Sequence, residues 1–405
     1  MHILLIHQVF LTAEQAGGTR HYEFARHCVE NGHQVTVVTS DVDYLTAKQI
    51  EGPRDECIDA IRVRRAHMIS RIHRSFVWRI IAFLSFMLSS VAVALKADEI
   101  DIVMGTSPPL FQVASAWVVA RIRRKPLLVE IRDLWPDFAI DMGVLKNPVL
   151  IWLARRLESF LYGRADHILV NSPAYRDYLL ERGLPAERIS FIPNGVDPAM
   201  FDPADNGRAI REEFGIEGKF VAVYTGAIGP ANDIPTLVRA AEHLQGDDDI
   251  RLLIVGDGKA RPEVERLIAA KGLTNVILTG PRPKSQMQQV LGAADVCVAT
   301  LLPIPMFAMT YPNKIFDYLA AGRPIVLGID GVVREVVEDA NAGVFARPGD
   351  DAAIAEAIAG LKADPRAANE MGLRGRQYVT RYFNRRQHAA EFLTLVVLLA
   401  ERADG

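Results

Sequence analysis

Short apolar runs alternate with longer helical patterns along the whole chain. In the first half the runs are HILLIH, HQVTVVTS, AIRVRRAH, DIVMGTS, LLVEIRD, DHILVNS and ISFIPNG, and in the second half they are FVAVYTG, IRLLIVGDG, NVILTG, ADVCVAT, RPIVLG and AGVFARPG. They are punctuated by Gly, Ser or Asn and followed by roughly ten to fifteen residues of helical pattern. Strands that are apolar throughout are typical of parallel sheets covered on both faces. The pattern therefore predicts an α/β protein with two parallel sheets.

Two sets of strands predict two doubly wound, Rossmann-like domains, each with its ligand edge at the carboxyl ends of the strands. The predicted join is IPNGVDPAMFDPADNGRA, where Pro, Gly, Asn and Asp crowd into one irregular stretch. We therefore expect a first domain over residues 1–197 and a second over 198–383. Two such sheets that face each other leave a cleft between them, the usual place for a large ligand.

The composition indicates a globular protein with well-filled cores. The chain has 405 residues, of which 50% are hydrophobic and 23% are charged, and a net charge of −3. There are 23 basic and 21 acidic residues up to Gly195, and 23 and 28 after it. This balance argues against a general polyanion binder. The cysteines are too far apart for a disulfide framework or a CxxC metal site, and they suit the cytosol: Cys28, Cys57 and Cys297.

One segment, residues 62–95, raises the question of a membrane. Residues 80–95 are sixteen uncharged residues, and six arginines precede them with no acid between Arg62 and Leu95. A bilayer span needs about 18 to 20 apolar residues, whereas a basic flank beside an apolar helix is typical of attachment to an anionic membrane surface. A core helix with a solvated basic face is the alternative, and both stay open. The first residues, MHILLIHQVF, read as a strand rather than a signal peptide.

Two places in the first half are candidates for chemistry. Gly17 and Gly18 precede a helix predicted to start near Thr19, where glycine lets a backbone approach a ligand and free amides favour a phosphate. Arg132 and Asp133 end a predicted buried strand, where this architecture carries its chemistry. A plain loop-to-helix turn and a structural ion pair are the respective alternatives.

The second half offers a candidate phosphate and ribose site. The helix in YPNKIFDYLAAGRPIV starts with Asn313 and carries Lys314 and Asp317 on one face. A lysine near a helix start neutralises a diphosphate, and an aspartate accepts two hydrogen bonds from a ribose diol. The alternative is a surface ion pair of little energetic worth. Gly226, after a strand, could approach the diphosphate, and Arg282 could frame a base; an ordinary turn is the alternative for each.

Together these motifs resemble the retaining glycosyltransferases of GT-B fold, the nucleotide-sugar-dependent group 1 family. The resemblance covers nearly the whole chain and includes GGTRHYEFARHCVENGHQVTVVTS, IPNGVD, RLLIVGDG, GAADVCVATL, PNKIFDYLAAGRPIV and REVVEDANAGVFARPGD. Within the family, GTSPPL, EIRDLWPD and PNKIFDYLAAGRP resemble the bacterial subgroup that builds surface polysaccharides, including lipopolysaccharide, on lipid carriers.

The resemblance implies a cytoplasmic, metal-independent enzyme that needs no cofactor besides its donor substrate and binds no nucleic acid. Peripheral attachment to the inner face of the cytoplasmic membrane is an alternative location. The second domain is expected to hold a UDP-sugar, with an N-acetylated or deoxyamino sugar, and the first domain a polyprenyl-diphosphate-linked glycan acceptor. A helix over residues 384–402 is expected to cross back to the first domain. The residues implied for donor binding are Gly17, Gly18, Gly226, Arg282, Asn313, Lys314 and Asp317.

The sequence departs from the family pattern in three places. Met309 stands where the first acid of the paired-acid motif is expected, eight residues before Asp317. The segment GAIGPANDI lacks the basic residues that often follow the first strand of the second domain. Arg132 replaces a histidine that many relatives carry before Asp133. The sequence therefore leaves open what recognises the sugar.

The family mechanism implies a same-face displacement in which the leaving diphosphate accepts the proton of the acceptor. The implied catalytic residues are Asp133, Arg132 and Lys314, with charge on the leaving group stabilised by Lys314, Arg282 and the amides near Gly17 and Gly226. Two other functions stay open. One is a UDP-sugar 2-epimerase of the same architecture, and the other is a noncatalytic protein that binds a nucleotide sugar or a lipid.

Overall fold

The computed structural model describes residues 1–15, 17–43, 46–72 and 74–404. They form two α/β units. The first unit comprises Met1–Thr12, Thr19–Pro193 and Arg386–Gly405, and the second comprises Ala13–Gly18 and Asn194–Arg385. The predicted fold class of two doubly wound α/β domains is confirmed.

The sheet of the first unit has eight strands in the order β3-β4-β2-β1-β5-β6-β7-β8. All neighbours pair in parallel except β3 and β4, which are antiparallel. The strands are β1 (His2–Ile6), β2 (Gln34–Ser40), β3 (Asp55–Ile58), β4 (Ile61–Ala66), β5 (Ile102–Ser107), β6 (Leu127–Ile131), β7 (His167–Val170) and β8 (Ile189–Phe191).

The sheet of the second unit has six strands, all parallel, in the order β11-β10-β9-β12-β13-β14. All six were predicted from the sequence. They are β9 (Phe220–Thr225), β10 (Ile250–Val255), β11 (Val276–Gly280), β12 (Val296–Thr300), β13 (Ile325–Gly328) and β14 (Gly343–Phe345).

Helices cover both sheets. They are α1 (Arg20–Glu30), α2 (Phe76–Ala94), α3 (Leu110–Arg123), α4 (Asp137–Asp141), α5 (Pro148–Arg164), α6 (Pro173–Glu181), α7 (Arg208–Phe214), α8 (Ile234–His243), α9 (Arg261–Lys271), α10 (Met287–Gly292), α11 (Asn313–Ala320), α12 (Val332–Asp339), α13 (Asp351–Ala363), α14 (Pro365–Tyr382) and α15 (Arg385–Asp404).

The expectation of a wholly parallel first sheet was wrong, because β3 adds an antiparallel edge strand. A hairpin joins β3 to β4 through Asp59 and Ala60, which both have positive φ, at 46° and 63°. Such a turn usually contains glycine or asparagine at these positions. The sequence Asp-Ala carries no glycine, and β3 itself alternates exposed and half-buried residues, so the apolar pattern did not reveal it.

The C-terminal helix α15 packs into the core of the first unit, as the resemblance implied. The ring of Phe392 stacks on Phe24 of α1, with centroids 4.7 Å apart. Ala389 and Val396 are buried in the same cluster. Removing these apolar surfaces from water holds the end of the chain to the unit in which it began.

Helix α2 lies on the surface of the first unit along one narrow stripe. Its buried residues are four apart in sequence: Ala82, Phe86, Ser90 and Ala94. On this stripe the Ser90 hydroxyl donates to the Ser115 hydroxyl of α3 at 3.0 Å. The rest of the helix is half-buried or exposed, and Val77 and Leu88 are 64% and 69% exposed. The helix is therefore packed on the unit without being enclosed in its core.

Candidate active site

The second unit brings its candidate residues together where the strand order reverses. Strands β10 and β11 continue to one side of β9, and β12 lies on its other side. Gly226 directly follows β9, and α11 begins at Asn313 after the segment that leaves β12. Open α/β sheets bind ligands at this switch point, outside the carboxyl ends of the strands.

Lys314 is a positively charged side chain at this switch point. Its ammonium nitrogen donates to the Tyr224 hydroxyl at 2.7 Å and lies 3.9 Å from the centre of the Tyr224 ring. Asn232 Oδ1 is 3.4 Å away. Within the described residues no carboxylate lies within ion-pair distance of Lys314, and burial lowers the pKa of Lys314 from 10.5 to about 7. An anion bound here would supply the missing counter-charge.

Gly226 lies against Lys314 because it has no side chain. Its φ is +130°, and a Cβ built on it would lie 3.1 Å from the Lys314 ammonium. The neighbouring Gly256 is packed still more closely, since a Cβ there would lie 1.8 Å from the carbonyl oxygen of Gly226. The two glycine turns therefore pack against each other, and Gly226 adds no side chain beside the lysine.

The segment that contains Gly17 and Gly18 belongs to the second unit. It is tied there by the amide of Ser285, which donates to the Ala13 carbonyl at 3.1 Å. A Cβ at Gly18 would lie 3.4 Å from Nδ2 of the exposed Asn313. We refer to Gly18, Gly226, Asn313 and Lys314 as the donor-side group.

Asp317 lies one turn along α11 and binds a different lysine. Lys284 donates to both oxygens of its carboxylate at 2.6 Å, and the two side chains are only 12% and 14% exposed. The sequence alternative of a surface ion pair between Lys314 and Asp317 was wrong, because the two residues have separate partners. Lys284 was not among the predicted site residues.

Arg282 lies two residues before Lys284 but has its own partner. Its guanidinium donates to Glu213 of α7 and lies 5.7 Å from the centre of the Phe214 ring. Among the described residues, Arg282 makes no hydrogen bond or ion pair with the donor-side group. Met309, the other position of interest, ends the 3-10 segment Pro305–Met309 that precedes α11.

The first unit places Arg132 and Asp133 at the carboxyl edge of its sheet, after β6. Arg132 Nη1 lies 3.4 Å from His7 Nε2, and His7 Nδ1 lies 2.7 Å from the Thr106 hydroxyl. Burial and the nearby cations lower the pKa of His7 well below its usual value. The neutral imidazole therefore accepts from Arg132 through Nε2 and donates to Thr106 through Nδ1.

Asp133 is the titratable acid of this edge. Burial raises its pKa to about 6, although the Arg132 guanidinium and the neighbouring Tyr175 hydroxyl favour its ionised form. A carboxyl group in this range is ionised at neutral pH and protonated in mild acid. It is therefore suited to proton transfer or to charge stabilisation near neutrality.

A second buried charge cluster lies directly behind Arg132. Glu130 of β6 is fully buried and receives hydrogen bonds from Arg20 Nε, at 2.8 Å, and from His21 Nε2. These two groups hold the pKa of Glu130 well below its usual value, although burial alone would raise it. The His21 ring lies 4.0 Å from that of His7, centre to centre. The cluster therefore packs against the His7 imidazole, which accepts the hydrogen bond from Arg132.

His7, Glu130 and Lys284 were missed at the level of sequence. The signal for His7 was present, because it directly follows the first strand just as Arg132 follows another. Glu130 interrupts an otherwise apolar strand, and a buried acid there requires cationic partners. Lys284 lies in the same loop after β11 as Arg282, but its partner Asp317 is 33 residues away and gave no signal that the two pair.

Comparison with known proteins identifies the family. Residues 16–195 match the model described as glycosyl transferase 4-like domain, and residues 219–364 match that of the glycosyl transferases group 1. Together the two models account for most of the chain. The chain belongs to the group 1 glycosyltransferases. The family predicted from its motifs is thereby confirmed.

Individual relatives of this group 1 glycosyltransferase are distant. The D-inositol 3-phosphate glycosyltransferase of Nocardia farcinica is 29% identical over 228 residues, which are 54% of this chain and about half, 49%, of that protein. The putative colanic acid biosynthesis glycosyl transferase WcaI of Escherichia coli is 22% identical over 80% of this chain and 82% of its own. The solved structure of HepE from Anabaena, in complex with UDP and glucose, has a TM-score of 0.74 at 18% identity and covers 98% of this chain and 99% of its own.

Proposed function

We propose that the protein transfers a sugar from a UDP-sugar to a lipid-linked glycan during the synthesis of a bacterial surface polysaccharide, with retention of the anomeric configuration. The donor-side group carries the proposal, because it sets one cation with no carboxylate partner beside Gly226, Gly18 and a helix start. Membership of the group 1 family and the similarity to WcaI, a putative colanic acid biosynthesis enzyme, support it.

The donor's diphosphate would lie against Lys314 and the start of α11, with its ribose hydroxyls on Asp317. The HepE structure, which contains UDP and glucose, supports a nucleotide sugar as the donor. Each oxygen of Asp317 receives one hydrogen bond from Lys284 and keeps a lone pair for a hydroxyl. Arg282 would contact the base only after leaving Glu213. The transferred sugar is proposed to be N-acetylated or deoxyamino, by analogy with the subgroup.

In the proposed reaction the bond between the anomeric carbon and the diphosphate oxygen breaks, and the acceptor oxygen bonds to the same face of that carbon. The acceptor's proton passes to the departing diphosphate, which leaves as UDP. Lys314 stabilises the charge that develops on the diphosphate, a role that needs no metal. Arg132 and Asp133 are proposed to position the acceptor in the first unit.

The protein is further proposed to work at the inner face of the cytoplasmic membrane through residues 62–95, of which His73 lies outside the described residues. By length and composition α2 would qualify as a membrane span. Its stripe of contacts with the first unit favours a helix that lies on the bilayer surface. The guanidiniums of Arg71 and Arg74 lie 4.7 and 5.5 Å from the Trp78 ring, close to the exposed Val77. Cations beside exposed apolar groups suit an anionic membrane surface.

The test is incubation with a panel of radiolabelled UDP-sugars and a polyprenyl-diphosphate-linked sugar. Label that moves into the lipid fraction, with the donor's anomeric configuration in the product, is the expected result. Conversion of the donor into its 2-epimer without an acceptor would identify an epimerase. Donor binding without either reaction, across the whole panel, would identify a noncatalytic protein and contradict the proposal.

A further inference from the structure

A basic cavity lies at the amino edge of the first unit's sheet, at the opposite ends of the strands from Arg132 and Asp133. Its volume is about 690 Å³. It is formed where α3 and α5 end and where β6, β7 and β8 begin. Its charged lining residues are Arg121, Arg124, Lys125, Arg164, Asp166 and Arg188.

Some of these charges have structural partners. Arg188 donates to the carbonyl of Ala165 at the end of α5. Asp166 accepts from the Leu127 amide at 2.7 Å, and Lys125 lies 3.9 Å from an oxygen of Asp101. Cations at helix carboxyl ends ordinarily offset the helix dipole, and the contact of Arg188 with Ala165 is of that kind.

Three guanidiniums are left over. Arg121, Arg124 and Arg164 have no carboxylate within 4.0 Å among the described residues, and all three side chains belong to exposed residues. The guanidinium of Arg164 lies 5.5 Å from the centre of the Phe160 ring. Like charges gathered around one space repel each other unless an anion separates them. Offsetting the dipoles of the two helices that end here, α3 and α5, does not require three arginines.

The floor of the cavity includes Trp117 of α3. Its indole ring meets the edge of Phe160, with centres 5.0 Å apart. Its Nε1 is buried and has no hydrogen-bond partner among the described residues. The cavity therefore combines a rigid aromatic wall with an unusual excess of bidentate cationic donors, which is the arrangement that suits phosphate.

We propose that this cavity binds a molecule that carries two or more phosphate groups, at a site separate from the proposed donor site in the second unit. Guanidinium forks match phosphate oxygens in pairs, and three forks exceed what one monoanion can use. Such phosphates occur both in soluble diphosphates and in lipid headgroups. The site lies away from Arg132 and Asp133, so its ligand is not the group that reacts.

The soluble arm of the test is calorimetric titration of inorganic diphosphate into the full-length protein. We expect the double variant Arg121→Gln/Arg164→Gln to weaken one binding event by roughly tenfold or more, and Lys314→Ala to leave that event in place. Arg176→Gln, an exposed arginine on α6 outside the cavity, is the matched control and should change nothing. An unchanged melting temperature in Arg121→Gln/Arg164→Gln would exclude misfolding as the cause, and Arg121→Lys/Arg164→Lys, which keeps the charges without the bidentate forks, should recover only part of the binding.

The lipid arm is flotation with phosphatidylcholine vesicles that contain or lack cardiolipin, a lipid whose headgroup carries two phosphates. Loss of the cardiolipin dependence in Arg121→Gln/Arg164→Gln, but not in Arg176→Gln, would identify a headgroup as the source of the phosphates. The proposal is overturned if the double variant equals Arg176→Gln in both arms, or if diphosphate binding depends on Lys314 alone. Both binding experiments give a result whether or not the protein transfers a sugar, so failure of this proposal can be told apart from failure of the proposed function.

Discussion

Lys284 donates to both carboxylate oxygens of Asp317, at 2.6 Å each. The pair fixes the orientation of a carboxylate proposed to bind the ribose, and it offsets a negative charge close to the proposed diphosphate position. Lys284 is therefore proposed as a positioning residue that acts through Asp317.

The first prediction concerns this pair. Lys284→Ala should raise the KM for the donor by roughly tenfold, because Asp317 loses its fixed orientation and then repels the diphosphate. Turnover at saturating donor should change little. Steady-state kinetics with Lys271→Ala as the control, a lysine paired with Glu242 on the surface, measures the effect. In an Asp317→Ala background the second substitution should cost nothing further, and an additive loss would show that Lys284 acts independently.

The second prediction concerns the stability of the free protein. Because burial lowers the pKa of Lys314 from 10.5 to about 7, the unfolded chain binds more protons than the folded one between these values, and stability rises with pH across that window. At and below about pH 7 the folded protein bears the full cost of burying the ammonium. Lys314→Met should therefore raise the melting temperature by ~2 °C at neutral pH, and the gain should vanish towards pH ~10.

Thermal unfolding at the two pH values, with the exposed Lys259→Met as the control, makes the comparison. A neutral-pH melting temperature below that of the wild type would mean that the contacts with Tyr224 and Asn232 outweigh the desolvation of Lys314, and the account of its lowered pKa would fail.

The third prediction is a pH profile. Burial raises the pKa of Asp133 to about 6, so the carboxylate is lost as the pH falls through that value. If its charge positions the acceptor, kcat/KM should fall by about tenfold per pH unit below it. Asp133→Asn should remove this acidic limb and lower the plateau. A limb that survives in the variant would assign the titration to another group.

The fourth prediction concerns α2. Val77→Glu and Leu88→Glu place charges on the two most exposed large apolar side chains of the helix, at 64% and 69% exposure. Both should weaken binding to anionic vesicles by roughly tenfold or more, while transfer to a short water-soluble acceptor is unchanged. Leu373→Glu on α14, where the leucine is 44% exposed, is the control. Equal vesicle binding by all three variants would exclude α2 as the membrane contact.

Much of the fold followed from the sequence because parallel strands are buried on both faces. Most of the strands are mainly apolar runs, which need no knowledge of their partners to be recognised, although β4 carries three arginines. The edge strand β3 has no such run, since one side of it faces solvent. The amphipathic stripe of α2 was also hidden, because small residues such as Ser90 and Ala94 bury well but do not stand out in an apolar segment.

A site residue was predictable from the sequence where its place at the end of a strand or the start of a helix is enough to put it in the site. Gly226, Lys314 and Arg132 follow strands or begin a helix, and the sheet order then brings the first two together. The partners of side chains were not predictable, because they come from distant segments. Arg282 pairs with Glu213, 69 residues away, and a chain of contacts through His7 supports Arg132.

The fifth prediction tests the central claim, that Lys314 stabilises a departing diphosphate. The measurement is the turnover of Lys314→Ala with the UDP-sugar that the wild type uses, at saturating donor and acceptor. We predict a fall of about 100-fold in kcat, since one charged donor to a developing anion contributes an effect of this size, with a smaller change in the KM for the acceptor. Lys259→Ala should retain full turnover. Unchanged turnover in Lys314→Ala would remove Lys314 from the mechanism and contradict the account.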